Sequence, residues 1–175
     1  GFTRFNYGFA KKILLANPVG EIADLCFSAG QSSLSTTAAW IGVICYAFQI
    51  YFDFSAYSDM AIGLGKMFGF TFRENFDSPY KSGSITEFWR RWHISLSSFL
   101  KDYLYIPLGG NRKGTSRTYV NLIIVMFLGG LWHGAQWTFV IWGLIHGSIL
   151  VIERISRKNK LGGKLPRPIK VLLTF

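Results

Sequence analysis

The sequence predicts an all-α, multi-span integral membrane protein, cut from a larger one, with amphipathic interfacial or re-entrant helices between its spans. Three observations predict it. Half of the residues are hydrophobic and 17% are aromatic, above the usual aromatic content of a soluble domain. The charges are segregated: from Tyr119 to Ile152 there is no Asp, Glu, Lys or Arg, while Arg154, Arg157, Lys158, Lys160, Lys164, Arg167 and Lys170 crowd the stretch that follows. The net charge of +10 therefore sits at the ends of apolar runs, as positive-inside anchoring requires. A nucleic-acid domain would interleave its bases with a soluble core, so no nucleic-acid partner is expected. Cys26 and Cys45 have neither framework nor metal spacing and read as packing residues.

In chain order, Phe2, Phe5, Phe9, Ile13 and Ala16 recur at spacings of three and four, with Arg4, Lys11 and Lys12 off that stripe. This predicts an amphipathic helix lying in a membrane interface. Asn17-Pro18 should stop it and start another, Asn17 as cap and Pro18 at the first helical position. Residues 30–37 form a polar link. Thr36 to Phe70 carries no proline and reads as one helix, uncharged from Ala38 to Phe52, with Trp40 and Tyr51 near its two interfaces. Asp53 and Tyr57 are i,i+4 neighbours on it, as are Ser55 and Asp59. Two carboxylates beside an apolar span need partners or water, unless the segment simply emerges into solvent.

A polar loop from Phe72 to Ser82 precedes Ser84-Ile85-Thr86-Glu87, a capping box. The helix it opens should run to about Tyr105, before Pro107 and Gly109-Gly110. Its apolar stripe would be Ile85, Phe88, Trp89, Trp92, Leu96, Phe99, Leu100 and Tyr103, with His93 on the inward edge and Arg90, Arg91 and Lys101 opposite. A basic loop, Asn111 to Arg117, follows. With bases on both sides of it, the neutral run from Tyr119 to Ile152 must go in and come back. Two short passes of about 17 residues, meeting near Gly129 to Gln136, fit the length; one long broken helix is the alternative.

His133 then falls at the turn of that hairpin, among Gly129, Gly130 and Gly134. It is either a packing residue satisfied by a carbonyl or a functional one, since an ionisable group in such a run is expensive to keep there. His146 reads as a helix-packing residue. On a single helix it would stand roughly 20 Å from His133 at about 1.5 Å per residue, which disfavours a metal or haem pair.

Three blocks carry a family resemblance. They are Tyr51 to Leu64 (YFDFSAYSDMAIGL), Phe88 to Ser97 (FWRRWHISLS) running on to Tyr103–Gly110 (YLYIPLGG), and Gly129 to Ala135 (GGLWHGA). In this order they resemble the membrane-bound O-acyltransferases, most closely the bacterial alginate O-acetyltransferase branch, over nearly the whole chain. The resemblance makes residues 1–175 the central-to-late portion of one such domain. It implies a multi-pass protein of the bacterial inner membrane, with no bound cofactor. The donor would be acetyl-CoA or an acyl carrier on the cytoplasmic side, and the acceptors hydroxyls of an extracytoplasmic polysaccharide. Membrane lipid and an extracytoplasmic acetyltransferase would be its partners.

The resemblance also makes His133 the principal catalytic residue and His93 the second functional position. The residues agree with the chemistry. Acyl transfer to a hydroxyl needs a base of near-neutral pKa, and donors for the oxyanion, which Trp132, Gln136 or nearby amides could supply. Asp53 and Tyr57 are further candidates for substrate support. D-alanyl transfer to a cell-wall polymer is the nearest alternative. A transport or scaffold segment using Asp53, Asp59 and the histidines as a polar pathway is the alternative outside enzymes.

Overall fold

The computed structural model describes residues 1–28, 35–158 and 165–175, and among them there are helices and turns but no strand. The all-α expectation holds. The polar link of residues 30–37 lies largely outside the described residues, as do Lys160 and Lys164. Two compact units divide the chain, Gly1–Glu74 and Asn75–Phe175.

The first unit contains α1 (Phe2–Lys11), α2 (Asn17–Ser28) and α3 (Thr36–Met67). The stop expected at Asn17-Pro18 does not occur. Lys12 to Ala16 form a wide helical turn, Asn17 keeps helical angles, and its N–H reaches back five residues to the Lys12 carbonyl. The widening has a cause: proline lacks an N–H, and its ring collides with the carbonyl four residues back in a regular helix. α3 starts where Ser35 Oγ accepts from the Ala38 N–H at 3.2 Å and ends just short of the expected Phe70. It and α7 of the second unit are long and apolar enough to cross a membrane.

α1 meets α3 through its polar side and through Gly8 and Phe5, which lie against Ala56 and Gly63. Arg4 and Lys11 each reach Asp59 at 2.6 Å, Lys12 reaches Asp53 at 2.5 Å, and Arg4 also grips Glu74. Phe2, Phe9 and Ile13 point away and are exposed. The bases expected on the outer face of an interfacial helix thus turn inward. Carboxylates carried on an apolar helix cost too much without counter-charges, and α1 supplies two and the wide turn after it a third. The same inversion runs through both units: Ser55, Asp59, Thr118 and Asn121 are buried, while Trp40, Phe68, Trp137 and Leu172 are exposed. Polar groups inside and large apolar ones outside suit a surface that faces lipid.

The second unit contains α4 (Ile85–Arg91), α5 (Ile94–Leu100), α6 (Thr115–His133), α7 (Trp137–Lys158) and α8 (Arg167–Thr174). The loop before α4 is as expected, with one tight turn at Pro79–Lys81. Ser84 caps α4, its Oγ accepting from the Glu87 N–H at 3.1 Å. Glu87 closes the box one residue earlier than expected, on the Gly83 N–H at 3.0 Å. That bond, helped by Arg91, holds the Glu87 carboxyl below its usual pKa. Glu153 of α7 takes the Ile85 and Thr86 amides at 2.5 and 3.0 Å, a carboxylate at a helix start where the dipole favours it.

The single helix expected from Ser84 to Tyr105 is broken. Trp92 is extended and His93 left-handed, at φ 44° and ψ 55°. α5 restarts at Ile94 and finishes in a second wide turn, Lys101–Tyr105. The break shifts the helical phase, so the continuous stripe fails beyond Trp92: Phe99 and Tyr103 are exposed. Arg91, expected to face away freely, instead bonds the Asp77 carbonyl and carboxylate, both at 3.0 Å.

The run from Tyr119 to Ile152 does turn back on itself. α6 ends at His133, the chain reverses over Gly134 to Gln136, and α7 returns beside α6. The two helices touch backbone to backbone. A Cβ at Gly130 would run into the Phe139 carbonyl, and one at Gly143 into the Met126 carbonyl, so glycine alone permits this approach.

Candidate active site

The hairpin places His133 at the last residue of α6, beside the turn and exposed. Aromatic rings surround it: Trp132 at 4.9 Å, Trp142 at 5.3 Å and Phe139 at 6.0 Å, centre to centre. Trp142 and Phe139 come from the first turns of α7, which the glycine contact draws against α6. His146 lies one turn further along α7, against Trp142 at 4.7 Å and Trp89 of α4 at 5.4 Å. The wide separation expected of His133 and His146 on one helix does not survive the turn, since both touch the same indole. Among the described residues no third His, Cys, Asp or Glu joins them as a metal site would need.

His93 arrives from another direction. Its ring lies 6.2 Å from that of Trp132, and it stands there because of the break, not because of a stripe. The backbone groups freed at the break are taken up by two residues, Asn75 and Asp77. Asn75 accepts the Ile94 N–H on its carbonyl at 3.0 Å. Its Oδ1 accepts the Ser95 N–H at 3.1 Å and the Ser95 hydroxyl at 2.6 Å. Asp77 N–H meets the Arg91 carbonyl at 3.0 Å. A non-glycine residue at positive φ is strained, and it persists where surrounding bonds over-determine it. Burial pushes the His93 imidazole below its ordinary pKa, and the nearby His133 adds to the effect.

The structure thus brings together His133, His93 and Trp132, adds Trp142 and Trp89, which no local pattern groups with them, and brings in His146, expected to stand apart from His133. Their signal was present as aromatic density in α4 and α7, but density alone does not say which rings meet. Gln136 serves the turn through its backbone: its carbonyl accepts the Phe139 and Val140 amides at 3.1 and 3.2 Å, starting α7. Asp53 and Tyr57 belong to the first unit, where Asp53 is paired with Lys12 and Tyr57 is exposed. Nδ1 of His146 and Nε1 of Trp89 are buried with no hydrogen bond among the described residues.

An exposed imidazole held between aromatic walls, with a second imidazole across one indole, is suited to moving a proton at a reacting hydroxyl. Comparison with known proteins shows the family. The profile of the membrane-bound O-acyltransferase family matches residues 4–159. The chain belongs to the membrane-bound O-acyltransferase family. It is 58% identical over 175 residues to a probable alginate O-acetylase AlgI of Azotobacter vinelandii, covering all of this chain and 34% of that protein. A peptidoglycan O-acetyltransferase of Helicobacter pylori is 49% identical over all of the chain and 33% of its own length. A teichoic acid D-alanyltransferase of Streptococcus thermophilus is 33% identical, over 92% of this chain and 43% of its own. The chain spans about a third of the length of the first of these O-acyltransferases.

Proposed function

We propose that the protein is an O-acetyltransferase. It moves an acetyl group from a cytoplasmic acetyl-CoA or acyl carrier to hydroxyls of an extracytoplasmic polysaccharide, at the bacterial inner membrane and in several passes, with His133 as general base. An extracytoplasmic acetyltransferase partner would receive or complete the transfer. The observation that carries this reading is the meeting of His133, His93 and Trp132, contributed by two separate segments of a chain that belongs to an acyltransferase family.

In the step proposed, His133 takes the proton of the acceptor hydroxyl as its oxygen attacks the thioester carbonyl. The tetrahedral oxyanion collapses, the C–S bond breaks, and the thiolate leaves to be reprotonated. Trp132 Nε1–H and the Gln136 side-chain amide would donate to that oxyanion, since the Gly134 and Gln136 backbone N–H groups are engaged within the turn. His93 orients the substrate. Asp53 and Tyr57 take no part in this step, and their support for substrate is a lesser element of the proposal.

His133→Ala in the full-length enzyme tests the assignment, with protein levels matched by immunoblot. Loss of a positioned base costs about 10²–10⁴-fold in rate, so product acetylation should fall below detection while accumulation stays normal. Acetylation at the parent rate would sink it. A second reading, D-alanyl transfer to a cell-wall polymer, is favoured by the Streptococcus thermophilus relative. Supplying labelled acetyl-CoA or a D-alanyl carrier to membranes separates the two.

A further inference from the structure

A half-open cavity of about 300 Å³ lies at the end of the α6–α7 hairpin opposite His133, with Arg154, Lys158, Asn111, Thr115 and Tyr119 in its walls. It is built for negative charge. Among the described residues no carboxylate lines it. The neighbouring Glu153 is occupied by the α4 amides and Arg157, which leaves Arg154 and Lys158 without an ion pair among the described residues. Asn111 accepts the Tyr105 hydroxyl on its Oδ1, so its amide N–H groups are the part left to donate. Thr118 fixes the inner wall by bonding the Gly114 carbonyl at 2.9 Å.

Depth narrows the identity of the anion. From Trp137 to Arg154, α7 rises roughly 25 Å at about 1.5 Å per residue, close to the ~30 Å of bilayer hydrocarbon. With α7 crossing the membrane, Arg154 and Lys158 therefore sit at headgroup level, on the end that carries Arg112, Lys113 and Arg117. Tyr119 on the wall suits the same level. A phosphate diester there would meet a planar guanidinium that binds two of its oxygens, an ammonium and three neutral donors.

We propose that this cavity binds the phosphate of an anionic phospholipid headgroup. It does so independently of the acyl-transfer chemistry at the other end of the hairpin.

The full-length protein in detergent, offered phosphatidylglycerol or phosphatidylcholine of equal chain length, tests this by native mass spectrometry of the retained lipid. Phosphatidylglycerol should be retained in preference, by about tenfold or more given two cations at the membrane surface. Arg154→Gln with Lys158→Gln should remove the preference, and Arg90→Gln, an exposed base elsewhere, should leave it intact. The parent comparison stands even where the double variant fails to accumulate. Equal retention of the two lipids overturns the proposal, as does a double variant that still prefers phosphatidylglycerol. Displacement of the bound lipid by coenzyme A overturns it too, and would assign the cavity to a soluble phosphate donor.

Discussion

The Trp132 indole lies 6.2 Å from the His93 imidazole, and that contact joins two motifs which the chain carries on different helices. One residue reaches it from the end of α6, the other from a left-handed kink between α4 and α5. The kink is therefore the device that delivers His93, and the bonds from Asn75 and Asp77 are what hold it.

Substitutions at His93 should separate backbone from chemistry. Asparagine tolerates the left-handed region, so His93→Asn should accumulate as the parent does and keep part of the acetylation, because its amide still hydrogen-bonds. His93→Val should lose about 1–2 kcal/mol from backbone strain alone. Thermal melts of the two purified variants check this, and equal melts would mean that the kink tolerates any side chain.

Arg91 offers a correction that can be measured. A continuous stripe makes Arg91→Gln mild beside Leu96→Lys, which would bury a charge. Arg91 instead ties α4 to Asp77 and to Glu87. Arg91→Gln should cost about 1 kcal/mol, at the upper end for a part-exposed pair, and should lower acetylation by loosening the kink. A melting temperature equal to the parent's would return Arg91 to the surface.

Asp59 and Asp53 should differ. Asp59 is 6% exposed and holds two cations, so Asp59→Asn leaves Lys11 without a carboxylate and Arg4 with Glu74 alone, at a cost of about 3 kcal/mol. Asp53 is half-exposed with one partner, and Asp53→Asn should cost about 0–1 kcal/mol. Accumulation in membranes and melting temperature in detergent are the readouts. A transport pathway through these carboxylates would instead leave stability alone and abolish function in both.

The pH dependence follows from His93, whose folded-state pKa lies below 6.5. Between that depressed value and 6.5 the unfolded chain binds the proton and the folded one does not, so stability rises with pH. Its contribution is complete above 6.5 and is lost as pH falls through the window beneath it. Melts between about pH 5 and 7 should show this slope in the parent and a shallower one in His93→Asn. Parallel slopes would remove His93 as the source.

Composition and charge segregation alone determined that the chain is helical with long apolar stretches, and the bases flanking Tyr119–Ile152 determined the hairpin. Ser84 and Glu87 marked the start of α4. The family could be named from the Trp-His and Leu-Trp-His-Gly blocks. These are local signals, set by periodicity, capping and the cost of charge in hydrocarbon. The tertiary structure decided what local signals do not contain. Whether α1 turns its bases outward depended on Asp53 and Asp59 of α3, far along the chain. The phase of a helical stripe was defeated at Trp92–His93 because Asn75 and Asp77, outside the helix, offered bonds that offset the strain. Which rings surround His133 was set by the backbone contact of Gly130 and Gly143, and a close approach between two helices is a property of the pair, written in neither one alone.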